Sequence, residues 1–262
     1  MLLGASVATP AAPSVATFNP SLVFTEPPLT PFATPGIHTM QLFRNPYLNA
    51  SSGALVEAPF RSQRSLPDRC IDSFYFHFFP GHPSMLPRDH LMKMGKERNL
   101  EPLFAAMRWV GSLYIDAGPS RASFFDEAMR LIYAADVVKD GFLVQTMTIL
   151  LIGLDGNCEQ EKARDILGDV EQIAVEIGLY TRAYATVHGA GNPTLEESWR
   201  RTWWDLLVVD GMVAGVHRAT NFLLYDIVAD VALPCEEQQY LSGVSPRSQP
   251  GLLDLGCIRK ID

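Results

Sequence analysis

Cysteine is scarce in this chain. Four occur in 262 residues, Cys70, Cys158, Cys235 and Cys257, far apart and without Cys-x-x-Cys spacing. That excludes a disulfide framework and any zinc cluster built from closely spaced thiols, and it reads as reduced thiols in cytosol or nucleus. Positive charge is also short, with 21 Lys and Arg against 29 Asp and Glu, a net charge of −8 and a pI near 5.2. Phosphate neutralisation needs clustered Lys and Arg, so this balance argues against nucleic-acid binding by the chain alone. The short basic groups, Lys93 to Arg98 and Arg200-Arg201, fall in helical patterns and read as solvated faces. No apolar run is long. Met147 to Leu154 falls far below the ~20 residues that span a bilayer, so a soluble chain is expected. The amino end, MLLGASVATPAAPSVA, lacks the basic region and continuous apolar core of a signal peptide and reads as ordinary leader.

What is present suffices for one core, since 47% of the residues are hydrophobic. Residues 1–64 are rich in Pro, Ala, Thr and Ser and nearly uncharged. They bury too little to offset their ordering entropy, which predicts a disordered leader, with Phe18, Phe24, Phe32, Phe43 and Tyr47 scattered in it. Residues 65–240 read as helices joined by short loops. Ser65-Leu66-Pro67-Asp68 opens the first, with Ile71, Phe74, Tyr75 and Phe78 on a buried face until Pro80-Gly81. A short helix near Pro87 to Arg98 follows, then Glu101 to Asp116, then Ser120 to Val138. Phe142 to Leu154 is apolar enough to be central, and Asn157 caps a helix that Gly178 ends in a left-handed turn. The absence of strand-like alternation predicts an all-α body of antiparallel helical hairpins. Residues 241–262 read as a loop-like tail.

The most informative stretch is Thr194 to Pro234. Thr194 and Glu197 have the spacing of a capping box. Trp199, Trp203, Leu206, Leu207, Val213, Ala214 and His217 then share one helical face, while Val208, Val209, Met212 and Val216 cover much of the other. A helix apolar nearly all round belongs at the centre of the body. Asp210 lies on its apolar face, and burial without a partner would cost several kcal/mol, so an Arg or a backbone N–H should meet it.

Chemistry-bearing residues outside this helix form no recognised set. His77, His82, Asp89 and His90 straddle a helix end and a proline break, which does not suit a metal site. His188-Gly189-Ala190-Gly191 lacks a nucleophile elbow, a Walker lysine or a dinucleotide strand, and reads as a flexible connection between helices. His188, Asp210 and Cys158 are isolated as catalytic candidates, so no enzyme, no metal and no cofactor is expected.

Arg200, Arg201, Thr202, Trp203 and Trp204, then Asp210, then Asp230-Val231-Ala232-Leu233-Pro234 after a polar break, resemble the regulatory domain, or middle homology region, of fungal zinc-cluster transcription factors. Leu167-Gly168, Ala174 and Gly178-Leu179 fall where that family places the preceding helix. The chain departs from the pattern at Gly211, usually Arg, and at His217-Arg218-Ala219, usually Gly-Arg-Pro. The resemblance covers about Ser65 to Tyr240, and the family's domain continues with further helices. It implies Arg200, Arg201, Trp203, Trp204, Asp210, Asp230, Leu233 and Pro234 as structural signature, with no DNA-contacting residue. It also implies a nuclear regulator that controls metabolic pathways, secondary metabolism among them. Its partners would be other transcription-regulatory proteins or itself, together with a small-molecule effector. The alternative is a non-DNA-binding interaction subunit that modulates a full-length regulator, and an enzyme is the remote one.

Overall fold

A computed structural model describes residues 64–217 and 222–243. The expected leader, the Arg218-Ala219 turn, Cys257 and most of the expected tail lie outside these, as does the side chain of His217. The described residues are helical, without a strand. In order they are α1 (Leu66–Ser73), a π-helical turn (Phe74–Phe78), α2 (Arg88–Glu97), α3 (Glu101–Ser112), α4 (Ser120–Ile132), α5 (Gly141–Gly156), α6 (Gln160–Glu176), α7 (Arg182–Gly189), α8 (Pro193–His217), a 3-10 turn (Leu223–Asp226) and α9 (Glu237–Leu241).

Local chemistry sets most boundaries. The Ser65 hydroxyl accepts from the Asp68 N–H at 3.3 Å, and Pro67 sits in the first turn of α1, where its missing N–H costs nothing. Asp140 caps α5 by accepting from the Phe142 and Leu143 N–H groups. To reach that cap the chain leaves α4 at Tyr133, before the Val138 expected from periodicity. Gly178, at φ +73°, ends α6 as expected, its N–H bonded to Val175 and that of Leu179 to Ala174. Asn157 differs from expectation. It closes α5, its N–H bonded to Gly153 and Leu154, and its amide donates to Glu159 rather than capping α6.

Two corrections concern α7 and the start of α8. His188 and Gly189 are the last residues of a helix, α7, that was not anticipated; the Thr181 hydroxyl accepts from the Tyr184 N–H to open it. Ala190 and Gly191 then turn sharply at φ +49° and +77°. The stretch is therefore a tight corner rather than a flexible connection, and a side chain at Gly189 would strike Glu196. The capping box is not formed. Asn192 caps α8 instead, its Oδ1 accepting from Thr194 and Leu195, with Pro193 in first helical position.

α5 is the enclosed helix, buried on all sides from Gly141 to Leu151 and packed on α3, α6 and α8. Thr146 and Thr148 survive inside it by donating to the carbonyls of Phe142 and Val144. The Gln145 amide reaches Ser84 O, Ser198 Oγ and Thr202 Oγ1 at 2.8 to 3.1 Å, tying α5 to α8 through the core. α8 meets the expectation of all-round cover in its first half only. Trp199, Trp203, Leu206, Val209 and Val213 are buried, but Val208, Met212 and Val216 are 57%, 58% and 70% exposed and line one outer stripe.

α1 crosses α3 at backbone contact, because a Cβ built on Gly111 would lie 1.9 Å from the Cys70 carbonyl oxygen. Gly168, in mid α6, has nothing within 4 Å of its Cβ position. Gly111→Ala should therefore lower stability by about 1–3 kcal/mol and Gly168→Ala raise it by about 0.5–1 kcal/mol, read as opposite shifts of the urea midpoint. Trp203→Ala should cost about 3–5 kcal/mol.

Candidate functional site

The residues singled out from sequence converge on α8 and on the extended segment 230–235 laid against it. Glu197 is fully buried. Its carboxylate accepts from Arg200 Nε, from Arg201 Nε and from the Cys235 N–H, at 2.9, 2.9 and 2.8 Å. Arg201 also donates from Nη2 to the Cys235 carbonyl at 2.6 Å and lies 4.5 Å over the Tyr240 ring. The two arginines are thus not a solvated face. Their i+3 and i+4 spacing from Glu197 folds them back onto one carboxylate inside the protein.

The same segment is held at further points. Trp204 Nε1 donates to the Ala232 carbonyl at 3.0 Å. Asp230 accepts from the Arg182 N–H at 2.7 Å, at the first turn of α7, and its own N–H reaches the Tyr180 carbonyl. Tyr240 is buried, and its hydroxyl donates to the Met85 carbonyl at 2.8 Å, which seats α9 against the loop before α2. Leu233 and Pro234 are half-buried. Trp203 fills the core beside Tyr180, with no partner for its indole N–H.

Asp210 is fully buried and accepts from the Leu224 N–H at 2.8 Å, the backbone partner expected, supplied by the 3-10 turn. Its second neighbour was not expected. Glu171 of α6, also buried, shares a hydrogen bond with it, and among the described residues no cation is paired with either. Desolvation by burial, then the facing Asp210 charge and the shared hydrogen bond, push Glu171 up to about 8. Burial also raises Asp210, against the opposing pull of the Leu224 N–H and of Glu171. Both shifts run toward a pair that keeps a proton to higher pH than free carboxyls do. Nothing in the sequence pairs residues so far apart.

Two hollows lie alongside. One, of about 110 Å³, runs under the exposed stripe of α8 and is lined by His82, Leu151, Ile152, Asp155, Val209, Met212, Val213 and Val216. The other, of about 480 Å³, opens where the π-helical turn, α3 and α5 end together. His82, between them, meets Asp205 through Nδ1 at 3.2 Å, and Ser84 donates to the other Asp205 oxygen. His77 instead stacks on Tyr114, and among the described residues no group of three ligands could hold a metal ion. No described helix is long and apolar enough to cross a membrane.

The family model of the fungal-specific transcription factor domain matches residues 102–253, more than half of the chain. The chain belongs to this family. It is 64% identical over 249 residues to the C6 finger domain transcription factor iacK of Pestalotiopsis fici, covering 94% of this chain and 37% of that protein. The chain thus spans little more than a third of the curated relative it matches. No solved structure matches it. Within this fungal transcription factor domain, the latch of Glu197, Arg200, Arg201 and segment 230–235 lies inside the matched residues, as does the Glu171–Asp210 pair.

Two outcomes check this geometry. Glu197→Gln leaves two guanidinium groups short of their buried counter-charge and should cost about 3–5 kcal/mol, read by thermal or urea unfolding. For the carboxyl pair, the folded state holds its proton more tightly than the unfolded chain, whose glutamate titrates near 4.5. The pair's contribution is complete below that value and fades as the pH rises through about 8. Unfolding midpoints of the wild type should therefore fall from pH 5.5 to 8.5 relative to those of Glu171→Gln. Parallel curves for the two proteins would remove the proton from the account.

Proposed function

We propose that this chain works as the regulatory domain of a nuclear transcription regulator of the zinc-cluster type, through protein contacts made by its helix faces. The supporting observation is the match over residues 102–253 to the transcription factor domain, together with 64% identity to a C6 finger transcription factor. The reading assigns DNA contact to a six-cysteine module, for which the four cysteines of this sequence do not suffice. A net charge of −8 suits a protein-contacting rather than a phosphate-contacting surface. The stripe of Val208, Met212 and Val216, and the exposed Leu223, Tyr225 and Val228 later in the chain, supply apolar area of the kind such contacts use. Control of a metabolic or secondary-metabolite pathway is the finer part of this proposal. No catalytic role is part of it.

Fusing the chain to an unrelated DNA-binding domain tests the reading. Reporter output should move away from that of the DNA-binding domain alone, and Met212→Glu should return it without loss of helical content. Binding of the unfused chain to duplex DNA at ~150 mM salt would overturn the proposal, as would an unchanged reporter.

A further inference from the structure

The larger hollow combines aromatic ring walls with an arginine. Two stacked ring pairs stand in its wall, Phe78 with His82 at 4.9 Å and 26°, and His77 with Tyr114 at 5.1 Å and 13°. Val110, Leu113 and Ile152 give it apolar lining, and Gly156, the last residue of α5, adds no side chain to its wall. A Cβ at Gly156 would meet nothing within 4 Å. Its volume of about 480 Å³ falls in the ~300–1,000 Å³ range of small-molecule sites, and a single benzene ring would leave it largely empty. The π-helical turn Phe74–Phe78 carries His77 and Phe78 into the wall, and such turns recur at ligand sites.

Arg121 is the charged side chain of the lining, beside the polar His77, His82 and Asn157, and no carboxylate lines the hollow among the described residues, in a chain whose acidic residues outnumber its basic ones. Arg121 spends Nη2 on the carbonyls of Ser112 and Ile115, at 3.0 and 3.2 Å. Those contacts fix the guanidinium over the end of α3 and leave its remaining N–H groups for a ligand. Asp205, already accepting from Ser84, takes His82 Nδ1–H as a second donor, so that His82 Nε2 is left to bond a ligand hydroxyl.

We propose that this hollow binds a fused-ring aromatic acid bearing a phenolic hydroxyl, its rings lying along the His77–Tyr114 and Phe78–His82 walls, its carboxylate on Arg121 and its hydroxyl on His82. The ligand would join the ends of α3 and α5 to the π-helical turn. The proposal rests on the regulatory reading and gives the small-molecule effector that the family resemblance implies a place and a chemistry, but binding is measured on the chain alone, so the two can fail separately.

The test is calorimetric titration of 6-hydroxy-2-naphthoate into the purified full chain, beside the non-planar decahydro-2-naphthoate. The planar acid should bind saturably with one site per chain and at least tenfold more tightly than the saturated one. Arg121→Gln should weaken it at least tenfold and bring it level with neutral 2-naphthol, which lacks the carboxylate. Gly156→Met places a flexible side chain in the open space at a helical position, so it should keep or raise the thermal midpoint while abolishing binding. Three results would each overturn the assignment: no saturable binding at millimolar ligand, equal binding of the planar and saturated acids, or undiminished binding in Gly156→Met. An intact reporter response in the fusion beside any of these would leave the regulatory reading standing.

Discussion

Glu197 is the constraint on which the carboxyl-terminal part of the structure depends. Its side chain is inaccessible to water and accepts from two guanidinium groups and one backbone N–H. Burying a carboxylate is expensive, and here the expense is met by donors from two places in the chain. Arg200 and Arg201 come from the next turn of the same helix, whereas the Cys235 N–H comes from a segment 38 residues on. The ion pairs therefore organise more than α8. They fix where segment 230–235 runs, which in turn sets the Trp204–Ala232 bond and the capping of α7 by Asp230. Replacing the group by apolar residues would satisfy the core equally well but would remove what specifies the path of that segment.

Around this node α8 divides in two. Its first half is held by the ion pairs, by the Gln145 amide and by the packing of Trp199 against Phe142 and Tyr184. Its second half has Leu206, Val209 and Val213 inward but Val208, Met212 and Val216 outward. Its inward polar tie is the Asp210 carboxyl, bonded to the 3-10 turn and to Glu171. A carboxyl pair that depends on keeping a proton is a weaker and more condition-dependent fastening than an ion pair with three donors.

Much of the fold was legible because short-range chemistry and periodicity specify it. Ser65 and Pro67 open α1, Gly178 closes α6, and the spacing of Trp199, Trp203 and Leu206 gives the buried face of α8. Periodicity says which face of a helix is apolar but not which neighbour covers it, and so the fully enclosed position fell to α5 rather than to α8. The arginine pair was misread for a related reason. Adjacent arginines look like surface until Glu197, read as half of a capping box, is recognised as their partner at i−3 and i−4. α7 has eight residues and announces itself only by Thr181, too little against the glycines that follow. The Glu171–Asp210 contact joins two helices through tertiary packing, and a sequence contains no local sign of it.

The placement of the two less secured features bears on how such a domain could respond to a signal. The hollow at the ends of α3 and α5 shares His82 with the smaller groove under the outer stripe of α8, and His82 is bonded to Asp205 of α8 itself. One imidazole therefore joins the wall of the hollow to the helix that carries the exposed apolar stripe. The Asp210 carboxyl acts on the second half of α8 from its inner side, through the Leu224 N–H. The first half of the helix is clamped by Glu197, so neither contact is free to move the helix as a whole. The Asp210 contact lies in the outer half, where Met212 and Val216 are exposed, whereas Asp205 stands at the midpoint of the helix, where the clamped half ends.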